Sequence, residues 1–173
     1  FEVLAHPDTH GNPEVRCALV RALAKAAGGH GMVGGQMIDL AAADMTLDIG
    51  AVTRLQRLKT GRLFDFSCLA GAILGKASDK QREALRGYTH DLGLAFQIVD
   101  DLLDVEGDAI ETGKAVGKDE DQGKATFVSI LGAERARAQA RLLSEQAIDH
   151  LKVFDEKADL LRDVARFVIA RRS

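Results

Sequence analysis

Between Leu92 and Val105 the only polar side chains are Gln97, Asp100, Asp101 and Asp104. Their spacing of i, i+3, i+4 and i+7 is that of one helical ridge. The remaining positions are apolar, which predicts a helix buried nearly all round. Like charges at i and i+4 repel, and anions near a helix C-terminus oppose its dipole, each at a cost of about 0.3–1 kcal/mol. Bound cations would offset that cost. Oxygen donors alone on one ridge suit a hard ion such as Mg²⁺, with Mn²⁺ as an alternative; such an ion takes a few carboxylates and completes its shell with water and phosphate oxygens. The plainer alternative is an acidic cluster paired with arginines of neighbouring helices.

The opposite sign follows directly. Gly107 to Lys124 holds four glycines, several acids and Lys114, Lys118 and Lys124. We read it as a structured loop, because apolar helices flank it closely. Lysine is a point-charge partner for a diphosphate, so acids for a metal and lysines for phosphate make one coherent pairing. Lys59-Thr60-Gly61 offers a further cation, whose plain reading is a solvated helix end.

The elements that must position these residues are helical. Asn12-Pro13 is an N-cap followed by proline at the first helical position, and Val15, Ala18, Leu19, Ala22, Leu23 and Ala26 then recur at helical spacing up to Gly28-Gly29. A second helix is expected from Met32 to about Ala43. A third starts near Asp48, bends at Gly61 and continues through Leu63 to Leu74. Asp79 opens a long helix to about Val105. Thr126 to Leu131 predicts a short buried helix, and Glu134 to Val153 and Asp155 to Arg171 two amphipathic ones. No strand alternation persists. The expected class is all-α, one compact helical bundle over residues 1–173.

Composition narrows the function. The 173 residues carry a net charge of −3, so there is no basic footprint for nucleic acid. Aromatics are 5%, with no Trp, which argues against base-stacking platforms. No apolar run reaches the roughly 20 residues of a membrane span, and no signal peptide is seen, so a cytoplasmic location is expected. Cys17 and Cys68 are expected as free, buried thiols. Gly29 to Gly34 fits G-x-G-x-x-G but follows a helix, so a helix cap with tight packing is the better reading. Gly117 to Lys124 misses the phosphate-loop spacing, and the acids around Gly107 miss that of a calcium loop.

Taken together, the motifs resemble the trans-prenyltransferase family, the polyprenyl (isoprenyl) diphosphate synthases, with the bacterial farnesyl diphosphate branch nearest. The matching segments are Gly34-Gly35-Gln36 to Asp39-Leu40, Lys59-Thr60-Gly61, Gly93 to Gln97 running into Asp100, Asp101 and Asp104, then Gly107-Asp108, Thr112-Gly113-Lys114, Gly117-Lys118-Asp119 and Gly123-Lys124. The resemblance covers essentially the whole chain and corresponds to the C-terminal part of the family. It implies an isoprenoid-synthase-type bundle of antiparallel helices around a central cavity, incomplete at its N-terminus. It also implies Mg²⁺-dependent ionisation of an allylic diphosphate, with isopentenyl diphosphate as the second substrate.

By that resemblance Asp100 would ligate Mg²⁺, with Asp101 and Asp104 helping. Lys59, Lys114 and Lys124 would hold the allylic diphosphate. Thr60 and Gln97 would lie beside the developing cation, and Gln36 and Asp39 would line or brace the pocket. A homodimer is implied for the full-length protein. The family's first aspartate-rich motif is absent from this chain, so the chain alone is expected to be catalytically dead or nearly so. Competing expectations are a non-catalytic helical subunit modulating a full-length synthase, a geranylgeranyl or longer-chain synthase, and a terpene cyclase sharing the metal–diphosphate chemistry.

Overall fold

The computed structural model describes residues 1–42, 45–112 and 125–171. Every regular element among them is helical: α1 (Glu2–Ala5), α2 (Pro13–Ala27), α3 (Met32–Ala41), α4 (Ile49–Gln56), α5 (Arg62–Leu74), α6 (Asp79–Thr112), α7 (Phe127–Leu131), α8 (Ala133–His150) and α9 (Asp159–Ala170). Their starts follow from local chemistry. The Asn12 side chain accepts from the Glu14 amide at 2.9 Å, and Asp48 accepts from Ala51 at 2.8 Å. Thr126 and Ser129 form a reciprocal capping box on α7.

The 34-residue α6 is the spine, about 51 Å long at 1.5 Å per residue. Side-chain bonds fix the direction of its neighbours. Thr60 meets Gln97 and Asp65 meets Thr89, so α5 runs antiparallel to α6. Arg137 pairs with Glu106 and His150 with Asp91, so α8 is antiparallel too. Tyr88 donates to the Leu161 carbonyl and Arg171 reaches Phe96, so α9 runs parallel to the spine. One apolar core joins Tyr88, Leu92, Ala95, Ile98, Val99 and Leu102 of α6 to α7, α8 and α9. On α8 the buried seam is Ala136, Ala140, Leu143 and Ala147, mostly small residues that admit a close approach.

Four expectations change. Helix α6 continues past Val105 to Thr112, so the first residues of the expected loop are helical. A lone Gly107 costs about 1 kcal/mol against Ala, and the Glu106–Arg137 ion pair ties that stretch to α8. The expected bend at Gly61 is instead a π-helical turn over Arg57–Gly61. Burial all round holds only to Leu102, since Asp104 and Glu106 are exposed. Both cysteines are free, but Cys17 is exposed. It stands two residues, hence about 200° around α2, from the inward-facing Leu19.

Candidate active site

The glycine run after α2 sets the geometry. A Cβ on Gly31 would lie 1.9 Å from the Ala26 carbonyl oxygen, and one on Gly34 would lie 2.0 Å from that of Gly29. Those close approaches turn the chain from α2 into α3, and they account for the G-x-G-x-x-G pattern without a nucleotide. Gly35 matters most here. A Cβ on it would meet the Lys59 backbone nitrogen at 2.3 Å and its Cα at 2.6 Å, so α3 crosses the π turn at backbone contact. One helical turn beyond Gly35, Asp39 then reaches the Lys59 ammonium at 2.7 Å. The Asp39 side chain is 9% exposed and that of Lys59 34%. Gln36 is partly buried on the same helix.

The next residue of the turn faces the spine. The Thr60 hydroxyl donates to Gln97 Oε1 at 2.8 Å. Gly93 sits one turn earlier on α6, where an added Cβ would touch Gly61 Cα at 3.6 Å. The two glycines let α5 and α6 approach, and the π register aims Lys59 and Thr60 at two different neighbours. Single π turns inside helices recur at functional sites for this reason.

The three aspartates part company beyond Gln97. Asp100 is engaged by Arg171, which follows the end of α9. The same guanidinium donates to the Phe96 carbonyl at 3.2 Å and lies over the Phe96 ring, 4.1 Å from its centroid. Asp101 is buried, and its Oδ2 accepts from the Phe127 amide at 2.8 Å, so it caps the start of α7. Asp104 is exposed. Among the described residues no three His, Cys, Asp or Glu side chains converge on a metal-sized site.

The donor chemistry still fits a hard divalent ion. Asp100 and Asp104 stand one turn apart with oxygen donors only. Mg²⁺ is ordinarily held by one or two carboxylates plus phosphate oxygens and water. A cation already sits at Asp100, in the form of Arg171, so this position favours positive charge.

The structure thus links Asp39 to Lys59 and Thr60 to Gln97, one turn before Asp100, through α3, the π turn and α6, with Gln36 partly buried on α3. It points Asp101 elsewhere. Lys114, Lys118 and Lys124 lie outside the described residues. Sequence reasoning missed Arg171 as the specific partner of Asp100, although arginine from another helix was its plainer alternative. It gave Asp39 a bracing role without naming Lys59 as what it braces.

A cavity of about 650 Å³ opens beside the π turn, between α2, α5 and α6, with Arg57, Gly61 and Gly93 in its wall. Arg62, Asp65, Arg82, Arg86, Asp91 and His150 are among its walls. Its lining on α6 stops at Leu94, six residues and about 9 Å of helix before Asp100. Polar groups there are tied to one another: Thr89 donates to Asp65 at 2.7 Å, and His150 Nε2 lies 3.1 Å from Asp91. Burial, with the Asp65 charge second, pushes the Cys68 thiol up to about 11.

An all-helical bundle thus carries an aspartate-bearing spine with a lysine turn fastened to it by the Thr60–Gln97 bond. The chain belongs to the polyprenyl synthetase family, whose model matches residues 5–164. It is 39% identical over 159 residues to the farnesyl diphosphate synthase of Geobacillus stearothermophilus, covering 92% of this chain and 54% of that one. A solved FPP/GFPP synthase from Zymomonas mobilis shares 49% identity at a TM-score of 0.85, over 96% of this chain and 55% of that one. The geranyltransferase of Helicobacter pylori, solved in complex with magnesium and isoprenyl diphosphate, shares 28% identity at a TM-score of 0.72, over 92% of this chain and 52% of that one. The chain therefore spans about half the length of the relatives it matches. No described helix is long and apolar enough to cross a membrane.

Proposed function

We propose that this chain carries the diphosphate-leaving half of a prenyltransferase active site. The reaction joins isopentenyl diphosphate to an allylic diphosphate, geranyl or dimethylallyl, to give farnesyl diphosphate. The carrying observation is the Thr60–Gln97 bond, which fastens the Lys59 turn to α6 one turn before Asp100. Family membership supports the reaction class, and the product length rests on the farnesyl-type relatives.

In this reading the allylic C–O bond breaks and its electron pair leaves on the diphosphate. The isopentenyl double bond then attacks the allylic carbon, and a proton is lost to restore an alkene. Lys59 has three ammonium donors. With Asp39 fixing its position, its remaining donors face the departing diphosphate. The Thr60 hydroxyl spends its proton on Gln97, which leaves oxygen lone pairs to face the developing carbocation; preorganised dipoles of this kind act where charge appears. Mg²⁺ held by Asp100 and Asp104 would supply Lewis-acid neutralisation of the leaving diphosphate. Asp101 keeps the ridge in place through α7. Alone, the 173-residue chain is expected to turn over little, because its sequence holds no D-D-x-x-D string besides that of Asp100 to Asp104.

The test is a condensation assay with labelled isopentenyl diphosphate, geranyl diphosphate and Mg²⁺ on the longest native form of the protein. The expected product is farnesyl diphosphate, and Asp100→Asn should lower its formation by orders of magnitude. Cyclised product without isopentenyl diphosphate, or an Asp100→Asn variant within a few-fold of the parent, would overturn the reading.

A further inference from the structure

Resting on that reading, we propose that Arg171 is a built-in counter-ion of Asp100 that the divalent cation must displace, so that loading of the ridge releases the end of α9. Three observations meet at one guanidinium. It ion-pairs with Asp100, donates to the Phe96 carbonyl at 3.2 Å, and stacks on the Phe96 ring at 4.1 Å. Its side chain is only 13% exposed, against 38% for Asp100. Arg171 Nε is buried with no hydrogen-bond partner among the described residues. A guanidinium with an unsatisfied buried donor is held by charge more than by a complete hydrogen-bond set, and such a contact is exchangeable.

Like charge sets the two cations against each other at one carboxylate. A divalent ion arriving at Asp100 would face Arg171 at close range, and the repulsion falls on the partner that can leave. Arg171 lies just beyond Ala170, the last residue of α9. Its release takes away a tether between α9 and the face of α6 that carries Gln97 and Asp100. Arg171 is a positioning residue in this scheme: it keeps Asp100 aligned while the ridge is unloaded, and it couples cation occupancy to the order of the final turn of α9.

The test uses Mn²⁺ alone as the probe, with binding read by electron paramagnetic resonance and no substrate present. Arg171→Gln should tighten Mn²⁺ binding by about fivefold, as expected for removing one partly buried competing ion pair. In an Asp100→Asn background the same change should have no effect. A second readout needs no variant: amide exchange over Phe167–Ala170 in the parent protein should quicken on adding Mn²⁺. Mn²⁺ binding that depends on Asp100 but is unchanged or weakened by Arg171→Gln, with exchange unaltered, would overturn this inference alone. No Asp100-dependent Mn²⁺ binding at all would overturn both the inference and the metal role of the ridge.

Discussion

Helix α6 engages polar partners in two places, and they are held differently. In its first half Tyr88 donates to the Leu161 carbonyl at 2.8 Å, Thr89 donates to Asp65, and Asp91 faces His150. In its second half Gln97 takes the Thr60 hydroxyl, and Asp100 holds the guanidinium of Arg171. The first set knits α5, α8 and α9 to the spine through groups that have no reason to change partner. The second joins a lysine turn to a carboxylate whose partner is an arginine from the end of α9. Both halves use the same helix and the same kind of acid. What separates Asp91 from Asp100 is the identity of the partner, and partners come from elsewhere in the chain.

Lys59→Ala should show the largest effect, lowering the turnover of the condensing protein by about 100- to 1000-fold, as for loss of one preorganised charge-stabilising donor. Steady-state kinetics would check it, and a loss below tenfold would move the working region away from the π turn. Gly35→Ala comes next. Its Cβ would strike Lys59 backbone atoms, so α3 must back away, at about 1–3 kcal/mol of stability. Thermal melting should fall together with turnover.

A matched pair sharpens the contrast. Thr60→Val and Tyr88→Phe each remove one hydroxyl donor, at about 1 kcal/mol apiece in denaturant unfolding. Only Thr60→Val should reduce turnover.

The smallest effect is alkaline. Burial, then the Asp65 charge, raises the Cys68 thiol from 9.0 to about 11, and burial, then Cys68, raises Tyr88 as well. A raised folded pKa gives stability that is complete below the unfolded value and is lost as pH climbs through the folded one. Unfolding free energy should therefore decline between pH 9 and pH 11, less steeply in Cys68→Ala. Iodoacetamide at pH 8 should label the exposed Cys17 well before Cys68.

The legible parts of the sequence were the local ones. The Asn12, Asp48 and Thr126 caps and the long α6 depend on neighbours within one or two turns, and so does the glycine turn from α2 into α3. Three features were illegible for a shared reason. The Asp39–Lys59 pair spans 20 residues, the Asp101–Phe127 bond 26 and the Arg171–Asp100 pair 71. No periodicity reports contacts at those separations. The π turn escaped notice because Arg57 to Gly61 contains no helix breaker except the glycine, and its register is imposed by Gly35 on another helix. The acids and Gly107 read as a loop because single-residue propensity could not see α8 supporting that stretch.

The central claim is that the Lys59 turn and the aspartate ridge act on one diphosphate as a unit. A double-mutant cycle of Lys59→Gln and Asp100→Asn, read on the turnover of the condensing protein, addresses it directly. The account predicts that the double variant loses little more than the worse single variant. If the two fold-losses multiply in full, the turn and the ridge work independently and the account is contradicted.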